Sequence, residues 1–352
     1  MLQKHVSISD FNWNHFDDIG AVFGEKDTFY FGYGPHLKST DPNNYSFYFN
    51  NFFNIDYEEY TPSNLLVLKR DQIEKFLNLR PYPHFTLVKT NEYEDLYLKD
   101  VNLIKSWINS RNLKKLVAIN RSEYQLPHSF SPVHFIKNAI NGPKGILYGI
   151  WRNSEGILGL SPEYLFRQST DGWKTMALAG TIDTSITDFE QVLLNDPKEI
   201  EEHQVVVDHI EQSLKSFTSN ISISNPFVTQ YGKIAHIQSD IIFDYPITEN
   251  LLPLLEKLSP TPALGGAPKI AALERQKETH HYSFDGIKRR FGGILGINFP
   301  NHHCAVVAIR NIQWRSEKLI IESGTGIVEK SVPEKELLEM RKKRECIENL
   351  LD

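Results

Sequence analysis

The stretch GILYGIWRNSEGILGLSPEYLFRQSTDGWKTMAL, residues 145–178, reads as strands joined by tight turns. Gly145 to Arg152, Gly156 to Phe166 and Trp173 to Leu178 are β-prone runs, with Asn153-Ser154-Glu155-Gly156 and Asp171-Gly172 supplying turn residues between them. Parallel neighbours need a crossover of about a dozen residues or more, and there is no room for one, so the pairing is antiparallel. The fold reading grows from this segment.

Downstream, Ala305 to Ile309 and Lys318 to Glu322 read as a further antiparallel pair leading into Ser323-Gly324-Thr325-Gly326, and upstream Lys115-Leu116-Val117-Ala118-Ile119 is another β-prone run. Residues 1–100 are rich in aromatics. Alternation there, around Phe47 and Phe49, in Leu65 to Lys69 and in His84 to Val88, predicts short strands. Helical spacing of Leu103, Ile104, Trp107 and Ile108 predicts a helix over about 99–110.

Asp196-Pro197-Lys198-Glu199 is a helix opening, with Asp196 as cap, Pro197 in the first turn and Glu199 placed for a capping box. Ile200, Val207, Ile210, Leu214 and Phe217 form one stripe, which carries that helix to about 218. Further helices are predicted over 268–279 and from Pro333 to Leu351, the last opened by a Ser331/Glu334 box. Two clusters of antiparallel strands with long helices between and after them imply an α+β protein on large sheets. No linker, repeat or low-complexity block divides residues 1–352, so the chain reads as a single domain.

Composition sets the outer limits. Apolar residues at 40% and charged residues at 23% match a folded globular chain. Thirty-eight basic against 44 acidic residues leave a net charge of −6, with no basic surplus to neutralise phosphates, so nucleic acid is not expected as a partner. Cys304 and Cys346 make neither a disulfide framework nor a metal knuckle. No signal-peptide pattern and no run of about 18 apolar residues occurs, so the expectation is a soluble cytoplasmic protein with no membrane partner.

Taken singly, the chemistry-bearing residues have plain readings. Glu202-His203 lies one turn into a helix, and Glu339 with Lys343 is in the favourable order for a surface ion pair. Ala179-Gly180-Thr181 after a strand can be a plain turn, and Gly324-Thr325-Gly326 lacks the ending of a phosphate loop. The loop Ser259 to Pro268, with three prolines and two glycines, either borders an anionic ligand at the following helix or is purely structural.

Their order along the chain adds more. SPEYLF at 161–166, LAGT at 178–181, KEIEEHQVVVDHI at 198–210, AHIQSDI at 235–241 and SPTPALGGAPK at 259–269 are followed by FGGILG at 291–296, AIR at 308–310, SGTGIV at 323–328 and E-x-x-E-x-x-x-K at 336–343. This series, over residues 113–345, resembles the chorismate-utilising enzymes: isochorismate, salicylate, anthranilate and aminodeoxychorismate synthases. Residues 1–100 carry no motif of the series.

The resemblance implies two large, mostly antiparallel sheets packed together, and a deep Mg²⁺-dependent pocket for chorismate. It puts Glu202 and Glu339 at the metal positions, in keeping with a hard ion that takes one or two carboxylates and completes its shell with water and substrate oxygen. Arg310 and Lys343 fall on the pair that holds the enolpyruvyl carboxylate. Gly324 and the turn Ala179, Gly180, Thr181 fall where backbone approaches substrate, and His236 matches the ring-facing histidine.

Members that add water at C2 use a lysine base and a glutamate acid, and Lys115 and Glu163 stand at those positions. Such a base should sit where burial depresses its pKa, and such an acid needs an apolar setting that keeps it protonated. The amidating synthases do not generally carry this lysine. Ala263 stands where pyruvate-eliminating members tend to have threonine. Together these favour an isochorismate synthase that needs no obligatory glutaminase subunit, with menaquinone biosynthesis as the expected pathway; salicylate synthase, the amidating branch and a chorismate-binding homologue without turnover are the alternatives. Lys115→Ala or Glu163→Gln is expected to abolish turnover with little loss of fold. Ser259, Ile297 and the segment His280 to Arg290 depart from the family pattern. Ser259 is expected to alter a bond in its loop, and Ile297 to loosen a substrate contact.

Overall fold

The computed structural model describes residues 2–351 except 26, 39–40, 42, 55, 81–85, 111, 247–250 and 301. The 145–178 segment forms antiparallel strands as read. Ile146–Arg152 pairs with Glu155–Ser161 across a two-residue turn, in which Asn153 takes φ +51°, and Tyr164–Ser169 pairs with Gly172–Asp183. One feature of the reading is corrected. Gly156 to Phe166 is two strands, broken at Pro162-Glu163, because Pro162 has no N–H to give a ladder. At that break the chain leaves one sheet and enters another.

The described strands build two mostly antiparallel sheets. The first, of eleven strands, holds the Ile146–Arg152 hairpin, Asn311–Arg315, Lys318–Ile327 and Lys115–Gln125; the second, of nine, holds Tyr164–Ser169, Gly172–Asp183, Ile234–Phe243, Ile294–Phe299 and His302–Val307. Their inner faces share a core. Phe23, Tyr148 and Ile157 of the first sheet meet Phe47, Met176, Leu295 and Val306 of the second, all buried. Sheets that bury one face apiece against each other account for the two-cluster pattern of the sequence.

The expected pairing of Ala305 to Ile309 with Lys318 to Glu322 is not formed. His302–Val307 lies in the second sheet and Lys318–Ile327 in the first, where it pairs with Lys115–Gln125 and with the unanticipated strand Asn311–Arg315. The chain changes sheets between them, turning at Arg310 with φ +50°. This second crossing runs beside the first. Leu160 N–H donates to the Arg310 carbonyl (3.0 Å), Val307 N–H donates to the Glu163 carbonyl (3.1 Å), and Ser161 Oγ donates to the Val307 carbonyl (2.8 Å). Two crossings stitched side by side deliver Glu163 and Arg310 to the space between the sheets.

Residues 1–100 complete both sheets. Ile19–Glu25, Thr28–His36 and Pro62–Lys69 extend the first, while Ser46–Asn50 and Tyr57–Tyr60 extend the second. Of the strand expected over His84 to Val88, His84 and Phe85 lie outside the described residues, residues 86–88 are irregular, and a strand begins at Lys89.

The helices cover the outside. Glu94–Asn109 packs on the Lys115 strand through Tyr97, Val101 and Ile104, and Pro333–Glu348 packs on that helix and on Lys318–Ile327, burying Met340. Pro197–Leu214 is capped by Asp196, whose Oδ1 accepts from Lys198 N–H (2.8 Å) and Glu199 N–H (3.2 Å). Its buried stripe is Val206, Val207, Ile210 and Leu214. Ile200 is 43% exposed and Phe217 lies past the helix end, because Glu199, Glu202 and His203 take the inner side of the first turns. The expected 268–279 helix runs over Lys269–Gln276. The Ser331/Glu334 box is absent, since Ser331 Oγ accepts from Val328 N–H (3.1 Å) in the preceding turn. Among the described residues no helix is long and apolar enough to cross a membrane.

Candidate active site

One cleft between the sheets gathers most of the residues singled out from the sequence. Glu163 and Arg310 enter from the two crossings, Ala179, Gly180, Thr181 and His236 from the second sheet, and Gly324 from the first. Glu202 and Lys343 project from the two long helices, and Ala263 from the proline-rich loop. That loop is anchored as an edge of the first sheet, Gly266 pairing with Leu116 and Ala267 with Lys115.

Lys115 and Glu339 stand just behind the wall. The Lys115 side chain is wholly buried, and its Nζ lies 2.8 Å from Glu202 Oε1. Gly326 permits that contact: a Cβ there would fall 2.2 Å from Glu202 Oε1 and 2.5 Å from Lys115 Cε. Glu339 pairs with Lys343 at 2.7 Å, and Lys343 Nζ also donates to the Gly324 carbonyl at 3.2 Å.

Glu163 is 2% exposed, and burial pushes its carboxyl up to about 8 even though Lys115 and a hydrogen bond from Thr261 pull it down. Thr261 Oγ1, at 3.5 Å, is its one side-chain hydrogen-bond contact among the described residues. At neutral pH this carboxyl therefore holds its proton, as the apolar setting expected for an acid requires. The opposite holds for Glu202. Burial works against its charge, but Lys115 and Lys198 outweigh it and keep this carboxylate below the usual range. Two carboxyl groups of one cleft are thus driven to opposite protonation states.

His236 is neutral, and its tautomer follows from its partners. A guanidinium only donates, so His236 Nε2, 3.0 Å from Arg310 Nη2, carries the lone pair. Nδ1 then carries the proton and donates to the Gly180 carbonyl at 3.1 Å. Burial, with the charges of Arg310 and Lys343, holds its pKa well below the usual histidine value. The Gly180 carbonyl is aimed there by a bulge, for which Gly180 takes φ +77°. Arg310 itself turns its guanidinium into the cleft with no carboxylate paired to it among the described residues, which leaves a cation open to an anionic ligand.

Glutamates crowd the other end. Lys198 Nζ lies 2.9 Å from Glu199, 3.2 Å from Glu202 and 3.4 Å from Glu336. Burial opposes the charge of Lys198, yet Glu202, Glu339, Glu336 and Glu199 together hold its pKa above the ordinary lysine value. Glu199 and Glu336 are pushed upward, first by burial and then by neighbouring carboxylates. Among the described residues no three His, Cys, Asp or Glu side chains form a ready cage for an ion. Glu202 and Glu339 are each paired with lysines, Glu202 with Lys115 and Lys198 and Glu339 with Lys343.

Sequence reasoning missed several of these groups. Lys198 and Glu202 are i,i+4 on one helix and Glu336 is one turn before Glu339, so helical periodicity held that signal. Glu199 was read as half of a capping box, whereas its Oε2 accepts from Thr181 N–H at 2.7 Å. Thr261 lay inside the quoted proline-rich loop without being singled out. Ile297 is corrected: it is fully buried in the core between the sheets, pairs with Phe47 and Cys304, and does not line the cleft. Ser259 is buried, and its carbonyl accepts from Asn54 Nδ2 at 3.1 Å and Lys269 Nζ at 2.5 Å. In the divergent 280–290 segment, His281 Nε2 meets Glu322 Oε1 at 2.7 Å, and Glu322 lines the cleft.

A cleft between two antiparallel sheets, with a carboxylate-free guanidinium at one side and clustered glutamates and lysines at the other, defines a protein for small anionic ligands. The family model described as chorismate binding enzyme matches residues 52–352, and the chain belongs to that family. Anthranilate synthase component 1 of Aquifex aeolicus is 27% identical over 302 residues, 79% of this chain and 58% of that protein. Isochorismate synthase MenF of Haemophilus influenzae is 28% identical over 243 residues, 67% of this chain and 56% of that protein. The chain thus spans little more than half the length of either relative. The solved structure of MenF, the menaquinone-specific isochorismate synthase from Escherichia coli, matches with a TM-score of 0.81 at 18% identity, covering 97% of this chain and 92% of that one. At that identity the likeness is one of fold.

Proposed function

We propose that this chain is a Mg²⁺-dependent isochorismate synthase that adds water at C2 of chorismate and expels the C4 hydroxyl. The observation that carries the reading is the buried Glu163 carboxyl in the cleft that Glu202, paired with Lys115 behind the wall, also lines. In this reading Lys115, once it has shed its own proton and stands as the free amine, takes a proton from the water that attacks C2; the ring double bond shifts, and Glu163 gives its proton to the departing C4 hydroxyl, which leaves as water. Arg310, with Lys343 beside it, takes the enolpyruvyl carboxylate, and neutral His236 holds Arg310 in place through Nε2. Glu202 and Glu339 are the residues assigned to Mg²⁺, which supplies positive charge against the ring carboxylate when bound. Ala263 puts a small side chain without a hydroxyl in the cleft lining where the lyases tend to carry threonine, which favours stopping at isochorismate.

Relatives named as anthranilate synthases are about as similar as the isochorismate synthase, so the amidating reaction is the second reading. It is disfavoured by Lys115 at the base position. Incubating the pure protein with chorismate and Mg²⁺ and separating the products by chromatography decides between them. Isochorismate is the expected product, formed without a glutaminase subunit. Salicylate with pyruvate makes the chain a lyase, anthranilate formed with ammonia places it in the amidating branch, and binding without turnover makes it a non-enzymatic homologue.

Two further outcomes are expected. Arg310→Ala weakens chorismate binding about 100-fold by calorimetry, and Arg310→Lys recovers only part of it because a point charge cannot make two parallel bonds. Glu202→Ala weakens Mg²⁺ binding in a calorimetric titration of the substrate-free protein and loses turnover with it; unchanged ion affinity removes Glu202 from the metal site.

A further inference from the structure

Tyr231 lies at the end of the strand Phe227–Tyr231 and is 8% exposed. Its ring lies under the Arg310 guanidinium, 5.2 Å from Cζ to the ring centroid. Its hydroxyl donates to the Pro162 carbonyl at 3.1 Å. Pro162 is the residue before Glu163, at the break where the chain changes sheets, and the second sheet's register is irregular just beyond it, between Tyr164 and Phe166. The Glu163 carboxyl has little else to orient it, since Thr261 at 3.5 Å is a long contact. One side chain therefore touches both the cation that awaits an anion and the peptide bond that carries the buried acid.

From this geometry we infer that Tyr231 is a positioning residue that sets the spacing between the anion-holding guanidinium and the proton donor. The inference rests on the reaction proposed above and names how its two ends are held in register. Among the described residues the Arg310 guanidinium is otherwise held through His236 Nε2, while a left-handed turn and the Leu160 N–H hold its backbone, and a planar aromatic face is a favourable bed for a guanidinium that must stay free of carboxylates. Burial also lifts the Tyr231 phenol to about 12, so its hydroxyl remains a donor to Pro162 throughout the working pH range.

Two variants separate its contacts. Tyr231→Phe keeps the ring and deletes only the bond to Pro162, while Tyr231→Leu deletes both. Tyr231→Phe should lower kcat about tenfold with KM within about twofold, and should move the alkaline limb of the kcat–pH profile that Glu163 sets. Tyr231→Leu should in addition raise KM, and the calorimetric Kd for chorismate, about fivefold. The C=O stretch of protonated Glu163, identified by its loss in Glu163→Gln, should shift in Tyr231→Phe in the substrate-free protein. A Tyr231→Phe protein with unchanged kcat, pH limb and infrared band overturns the link to Glu163, and an unchanged Kd in a folded Tyr231→Leu protein overturns the link to Arg310. If the wild-type protein binds chorismate without converting it, the reaction assignment fails, while the infrared band and the Kd still decide the role of Tyr231.

Discussion

Glu163→Gln is expected to lower turnover of chorismate by about a thousandfold or more, and at the same time to make the folded protein more stable at alkaline pH. Both effects have one cause. The cleft holds the Glu163 carboxyl at about 8 by burial, against the pull of Lys115 and Thr261, so the group donates a proton at neutral pH and wild-type activity falls as pH rises through about 8. The same burial costs stability. An unfolded glutamate ionises near the usual carboxylate value while the folded one does not, so the wild type is at full strength below about pH 4.5, weakens up to about pH 8, and is level above that. Glutamine has no proton to lose, and its advantage should reach about 3–5 kcal/mol at pH 9. Denaturant unfolding of both proteins at pH 5 and pH 9 measures this without any substrate. An equal difference at the two pH values means that Glu163 is ionised in the folded state and is no acid.

Lys115→Ala is the second large effect, again about a thousandfold in rate. Here the structure alters what the sequence implied. Little loss of fold was expected, but Lys115 is wholly buried and paired with a buried carboxylate, so truncation leaves Glu202 with Lys198 as its one ion-pair partner among the described residues. Removing one partner of such a pair costs about 3 kcal/mol or more. The double variant Lys115→Ala, Glu202→Gln should regain most of that stability and none of the activity. A single variant that keeps near-normal turnover takes Lys115 out of the chemistry. One that is inactive yet fully stable shows that the pair contributes nothing to folding.

The class of fold and most of the cleft were legible in the chain. Short β-prone runs separated by two-residue turns admit only antiparallel neighbours, and Asp196-Pro197 announces its helix in any setting. Ordered motifs led to Glu163, Glu202, His236, Arg310 and Lys343, which do converge. The errors have a common form. Gly156 to Phe166 was read as one strand and Ala305 was paired with Lys318, because β-propensity carries no record of which sheet a strand joins. Both errors fall on the two crossings, where the chain breaks regular pairing to bring Glu163 and Arg310 together. Ile297 was placed near substrate by position along the chain, whereas the alternation of its strand turns it into the core.

By itself, the order of residues determined an α+β chain, through turn chemistry and hydrophobic period, and membership of the chorismate binding enzyme family, through the order of its motifs. Only the tertiary structure decided which side chains touch. Glu163 is neutral and Glu202 charged, Tyr231 spans from Arg310 to Pro162, and Lys198 sits among three glutamates. Protonation and pairing depend on burial and on charges brought near from distant parts of the chain, and those distances exist only after the two sheets close on each other.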